Sequence, residues 1–247
     1  MKKAVILAAG MGSRIQAFTI NKPKCLIKVK GKEILERQIE VYSSAGINQI
    51  IVVTGYLANK IKSPKIIKIH NDDYQSTNML YSLMCAKEYL NEDLIVSYGD
   101  IVFKEEVLHK LINSQADATV VSDKSWLKYW KTRFDNPLED AESFEKYNEC
   151  LVKSLGDKAK DASEVQGQYI GLMKFSKQGC KNLINLYNSF LNNKKKLNNK
   201  LVTKAYMTDI LNVLSSMKRL SYVEINRGWF EIDTEKDLEV ANSLINW

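Results

Sequence analysis

Apolar residues cluster in short, nearly unbroken runs at 4–7, 48–55, 66–69 and 94–98, each closed by glycine or a polar turn. Such runs mark buried strands. Residues 34–44 carry Ile34, Leu35, Ile39, Val41 and Tyr42 at helical spacing and stop before Gly46, and 79–90 gives a second helix. Strand, helix, strand in that order predicts right-handed βαβ units, with loops at the strands' C-terminal ends free to bind a ligand. Later runs at 118–121, 164–175 and 220–225 predict further strands, and 177–190, 207–218 and 234–247 further helices. Thr234 and Asp237 have the spacing of a helix-capping pair. The polar run 192–200 predicts a solvated loop or a fraying helix end. No repeat or linker divides the chain, so a single domain over residues 1–247 is expected, with an insertion around 115–175 where the pattern is least regular.

The first strand opens into Ala8-Ala9-Gly10-Met11-Gly12-Ser13-Arg14, and Lys22-Pro23-Lys24 follows. Small residues let backbone N–H groups approach phosphate oxygens, while Arg14 and Lys24 supply positive charge where it builds on a leaving pyrophosphate. Ile15 stands where a dinucleotide fingerprint has its third glycine, and no Gly-Lys-Ser/Thr makes a P-loop. A bare strand exit is the competing account of the glycines. The whole string, Leu-x-Ala-Gly-x-Gly-x-Arg and then Lys-Pro-Lys, resembles the signature of nucleotidyltransferases that join a nucleoside triphosphate to a small phosphorylated acceptor. The resemblance implies a Rossmann-like three-layer α/β sandwich with a mixed, mostly parallel sheet. It also makes Arg14 and Lys24 the catalytic phosphate-binding cations.

Composition narrows the classes. With 45% apolar and 26% charged residues, the 247-residue chain is ordinary globular material. No stretch of 18 apolar residues exists and only Lys2 and Lys3 follow Met1 before the first strand, so no membrane association and a cytoplasmic location are expected. Cys25, Cys85, Cys150 and Cys180 lie far apart, and neither His70 nor His109 neighbours one, which argues against a zinc site. The net charge of +7 sits partly in the 192–200 run; no nucleic-acid motif accompanies it, and anionic substrates account for it equally well.

Two carboxylates fit the chemistry that two anions need. Gly99-Asp100 closes a central strand, and Trp229-Phe230-Glu231-Ile232-Asp233-Thr234 alternates so that Glu231 and Asp233 share a side if extended. Their ordinary roles would be a strand-end turn and a helix cap. Within the resembled family they correspond to a metal pair, implying Mg²⁺ held by Asp100 and Asp233, with Glu231 as a third candidate. Thr77, Asn78 and Ser82 lie in a segment similar to that of phosphocholine-type cytidylyltransferases, where a helix start neighbours the nucleotide; Ser76 or Thr77 would alternatively cap that helix. With Ala8, Ala9, Gly10, Gly12, Ser13 and Gly99 they make up the nucleotide-binding set.

Trp126 and Trp130 stand one helical turn apart, among Asp123, Arg133, Asp140 and Glu142. Core packing explains two such tryptophans. Aromatic faces with carboxylates also suit an ammonium group, and Arg133 suits a phosphate. With Gln168 and Tyr169 this region resembles the acceptor site of bacterial cytidylyltransferases for phosphocholine, aminoethylphosphonate or phosphoglutamine. The expectation is therefore a Mg²⁺-dependent cytidylyltransferase acting on CTP and a small amino-bearing phosphate or phosphonate acceptor. A sugar-1-phosphate enzyme using UTP, GTP or dTTP and a non-catalytic nucleotide-binding regulator are the alternatives. The oligomeric state is open, a homodimer being one compatible arrangement.

Overall fold

The computed structural model describes residues 2–247. Seven strands form the central sheet, in the order Ser221–Ile225, Ala118–Asp123, Gln168–Phe175, Leu94–Tyr98, Lys3–Ala8, Gln49–Thr54 and Ile66–His70. All pairings are parallel except those of Gln168–Phe175, which runs antiparallel to both neighbours. The architecture is the predicted α/β sandwich with a mixed, mostly parallel sheet.

The first strand shows why three layers form. All six of its residues are buried, and alternate side chains enter different cores. Ala4, Ile6 and Ala8 pack with Ile34, Leu35 and Ile39 of helix Ile34–Ser44, whereas Val5 and Leu7 pack with Leu80 and Leu83 of helix Met79–Cys85. A strand buried on both faces reads as a continuous apolar run because each parity needs an apolar partner.

Two elements go beyond the expectations. Ile101–Phe103 pairs antiparallel with Trp229–Glu231, and helix Glu105–Ile112 follows it. Three residues per strand are too few for a period to register in sequence. The basic run also differs from the expected loop or frayed helix end. Lys196–Leu197 and Lys200–Leu201 form a hairpin through Asn198 and Asn199, whose φ values of 48° and 61° are left-handed. Asparagine tolerates that region, which a two-residue hairpin turn requires. The helix expected over 79–90 ends at Cys85 and continues only as a 3₁₀ turn, Lys87–Tyr89.

The strands Ala118–Asp123 and Gln168–Phe175 both lie in the central sheet. Between them the chain leaves it to make helix Trp126–Arg133 and the antiparallel pair Glu142–Lys146 and Val152–Lys158. Among the described residues no helix is long and apolar enough to cross a membrane.

Candidate active site

The glycine loop leaves the first strand at the sheet's C-terminal edge and borders a cavity of about 440 Å³. Gly12 turns the loop with φ 65°, and a Cβ there would sit 2.9 Å from Thr19 Cγ2 and 3.2 Å from Lys24 Cβ. A side chain would therefore push the following turn away from Lys24. Thr19 Oγ1 donates to the Gly12 carbonyl at 3.0 Å and locks that turn. Ala8, Ala9, Gly10, Gly12, Ser13, Arg14, Lys24, Thr77, Asn78, Ser82 and Gly99 all border this cavity, as do Asp100 and Asp233. The structure thus brings the whole expected nucleotide set together. Asn78, not Ser76 or Thr77, caps helix Met79–Cys85, its Oδ1 accepting from the Met79 N–H at 2.8 Å. Thr77 and Ser82 are joined through Asn71, whose Nδ2 donates to both hydroxyls, at 3.1 and 3.0 Å. Tyr74, Gln75 and Tyr98 also line the wall without having been expected.

Asp100 and Asp233 come from distant parts of the chain, and the short ribbon registers them. Gly99 donates its N–H to Leu7 O at 2.9 Å, and Ile232 donates to Asp100 O at 2.9 Å. Lys24 Nζ lies between the two carboxylates, 2.8 Å from Asp100 Oδ2 and 2.5 Å from Asp233 Oδ1. Burial alone would lower the ammonium's pKa; the two neighbouring carboxylates outweigh it and raise the pKa well above its ordinary value. Arg14, largely exposed, reaches Asp233 Oδ2 at 2.5 Å.

The donor set fits a hard divalent cation. Asp100 Oδ1 is buried with no hydrogen-bond partner among the described residues. Among those residues no three His, Cys, Asp or Glu side chains make a closed cage. Magnesium needs few protein carboxylates when substrate phosphates and waters complete its shell. The third metal candidate, Glu231, turns its Oε2 to Arg133 Nη2 at 2.9 Å. Burial, with Asp100 and Asp233 near, pushes its carboxyl up to about 7 despite Arg133 and Lys24.

A second cavity of about 560 Å³ adjoins the first, sharing Arg14, Met79, Tyr98 and Asp100 with it. Trp130, Asp140, Glu142, Gln168, Tyr169 and Glu231 border it, and Glu139, Asp157 and Asp209 bring its carboxylates to seven, against the cations of Arg14, Lys158 and Lys200. Burial, with Glu231, Asp140 and Asp157 nearby, pushes the Glu142 carboxyl up to about 7. Burial also raises Asp140. The Trp130 Nε1–H and Gln168 Oε1 are buried without partners among the described residues.

Three residues expected to contact the acceptor border neither cavity: Asp123, Trp126 and Arg133. Asp123 accepts from Trp229 Nε1 at 2.8 Å, from Arg227 Nη1 at 2.9 Å and from the Ser125 and Arg227 backbone N–H groups. Trp126 Nε1 donates to Val165 O at 3.0 Å. The Arg133 Nε donates to Asp237 Oδ1 at 2.6 Å, and its guanidinium lies 4.7 Å from the Trp130 ring centroid. Buried polar groups must be paired: Asp123 and Trp126 are paired inside the scaffold, and Arg133 is held by Asp237 and Glu231 while its Nη1 has no hydrogen-bond partner among the described residues. Asp237 is also the third residue of the predicted capping box with Thr234. Asn198, Lys200, Tyr206 and Asp209 line the second cavity unannounced. Only the Asn-Asn turn signal could have pointed to them.

The chain is similar in sequence to known proteins. The chain is 42% identical to CTP:phosphoglutamine cytidylyltransferase of Campylobacter jejuni, across 96% of this chain and 98% of that protein. It is 37% identical to a choline-phosphate cytidylyltransferase of Streptococcus pneumoniae over 45% of this chain and 51% of that one. The solved CTP:phosphocholine cytidylyltransferase of S. pneumoniae superposes with a TM-score of 0.70, covering 99% of each chain; at 21% identity this is a likeness of fold. Residues 4–158 match the MobA-like NTP transferase domain, and the chain belongs to that family of nucleotidyltransferases.

Proposed function

We propose that the chain transfers CMP from CTP to a small phosphorylated acceptor that carries an ammonium group, releasing pyrophosphate. The carrying observation is the charge of the second cavity: seven carboxylates against three cations, in a chain whose net charge is +7. Such a cavity repels a second polyanion and favours an acceptor whose far end is positive. The near-full-length similarity to a phosphoglutamine enzyme supports an amino-acid acceptor of that kind.

In this account an acceptor phosphate oxygen attacks the α-phosphorus of CTP. The bond from that phosphorus to the α,β-bridging oxygen breaks, and pyrophosphate carries the electron pair away. The glycine-loop N–H groups hold the triphosphate, while Arg14 and Lys24 neutralise its charge. Asp100 and Asp233 would hold Mg²⁺, which supplies further neutralisation of phosphate charge when bound. Asp140, Glu142 and the segment within 115–175 receive the ammonium, and the junction at Arg14 and Asp100 is where the two phosphates meet.

Incubation with each of the four nucleoside triphosphates and a panel of acceptors, with pyrophosphate measured, tests this. CTP with an amine-bearing phosphate should give turnover. Turnover only with a hexose-1-phosphate and another triphosphate, or none with any pair, would overturn it.

A further inference from the structure

The acceptor cavity contains a cation that the transfer chemistry leaves unused. Arg14 stands at the junction with the nucleotide cavity, where a phosphate must lie to reach CTP. Lys158 stands at the strand position directly opposite Glu142, a carboxylate of the cavity's own acidic wall. Lys200 differs from both. It sits at the base of the Asn198–Asn199 turn, and no residue from 196 to 209 borders the nucleotide cavity.

Its ammonium is held in place. Lys200 Nζ lies 3.3 Å from Asp209 Oδ2 and 4.3 Å from the centroid of the Tyr206 ring. Asp209 is itself fixed, accepting from Asn198 Nδ2 at 2.7 Å and from the Tyr206 N–H at 2.8 Å. One ammonium hydrogen faces Asp209, which leaves two donors for a ligand, and the side chain is 36% exposed. A half-exposed lysine held by an aspartate and an aromatic ring is a positioned anion donor within an otherwise acidic cavity.

We propose that Lys200 binds a carboxylate of the acceptor, so that the site selects a phosphorylated α-amino acid over an amine phosphate lacking the carboxylate. The proposal rests on the cytidylyl-transfer reading above. The acceptor then meets three unlike groups in one cavity: its phosphate at Arg14, its ammonium at Asp140 and Glu142, and its carboxylate at Lys200.

The test compares phosphoglutamine with its decarboxylated analogue, which keeps the phosphate and the ammonium. In the unsubstituted protein, kcat/KM should favour phosphoglutamine by on the order of tenfold or more, the range of a charge-assisted hydrogen bond. Lys200→Met should bring that ratio close to one through KM for phosphoglutamine, and Lys200→Arg should restore most of it. Lys200→Gln keeps a donor for Asp209 and serves as the second variant should Lys200→Met fail to fold. A preference that survives both neutral variants, or a ratio near one in the unsubstituted protein, overturns the carboxylate site while leaving the transfer reaction standing. Absence of pyrophosphate release from CTP with either acceptor removes the transfer reading, and the carboxylate site with it.

Discussion

The backbone N–H of Ile232 donates to the carbonyl oxygen of Asp100 at 2.9 Å. That bond continues the ribbon between Ile101–Phe103 and Trp229–Glu231 and brings Asp233 to the same lysine as Asp100. A carboxylate pair built this way is held by backbone, so changing either side chain should spare the fold. Asp100→Asn and Asp233→Asn should each remove most turnover with only small changes in melting temperature. Pyrophosphate release that persists unchanged in excess chelator would show that the pair has no metal to hold.

Lys24→Ala should lower kcat by roughly a hundredfold, the effect of losing one donor to a developing anion. It also leaves Asp100 and Asp233 facing one another without their shared cation, so the stability that the ammonium contributes, full below the ordinary lysine range, should be lost at neutral pH. Arg14→Ala should weaken triphosphate binding and cost little stability, because its side chain is 68% exposed. Normal KM for CTP in the Arg14 variant would reduce the glycine loop to a strand exit.

Glu142 makes the acceptor step pH-dependent. Its carboxyl is pushed up to about 7, so it loses its charge within the neutral range. From about pH 8 to about pH 6, kcat/KM for an ammonium-bearing acceptor should fall by roughly tenfold, and Glu142→Gln should flatten the profile. Stability moves the other way. A carboxyl raised above its unfolded value makes the folded chain the tighter proton binder, so the stability it contributes is full below the ordinary carboxyl range and fades as pH rises through about 7. Glu142→Gln should therefore raise Tm at pH 8 and leave it nearly unchanged at pH 4. An identical Tm difference at both values would argue against a perturbed Glu142.

The two tryptophans should separate. Trp126→Ala removes a buried ring bonded to Val165 and should destabilise by about 3–5 kcal/mol without changing acceptor preference. Arg133→Ala strands the buried Asp237 and should cost about 3–5 kcal/mol. Trp130→Phe, by contrast, alters a ring that borders the second cavity and should raise KM for the acceptor more than KM for CTP. Thermal melts run beside acceptor kinetics distinguish the three, and a Trp126 variant with altered acceptor selectivity would overturn this division.

The glycine-loop part of the nucleotide half was legible because its residues are close in sequence, whereas Thr77, Asn78, Ser82, Gly99, Asp100 and Asp233 were placed by the family resemblance. A left-handed Gly12, a strand exit and two cations within the seventeen residues 8–24 form one site without tertiary information. The acceptor half was only partly legible. Asp123 and Arg133 have the chemistry of ligand groups, but their partners Arg227, Trp229 and Asp237 lie about a hundred residues on, beyond any spacing rule. Lys200 was hidden for the converse reason: a run of lysines and asparagines looks solvated, and only the Asn-Asn turn folds it back against Asp209.

The surplus of carboxylates in the second cavity gives the molecule an electrical polarity along its reaction path. A triphosphate arriving there meets an excess of negative charge, while the glycine-loop side presents Arg14 and backbone N–H dipoles. A molecule positive at one end and negative at the other is turned by that gradient before any hydrogen bond forms, with its phosphate leading toward the junction. Orientation of this kind weakens as ions shorten the reach of the field. Added salt should consequently slow productive encounters with the acceptor while leaving the bound geometry alone.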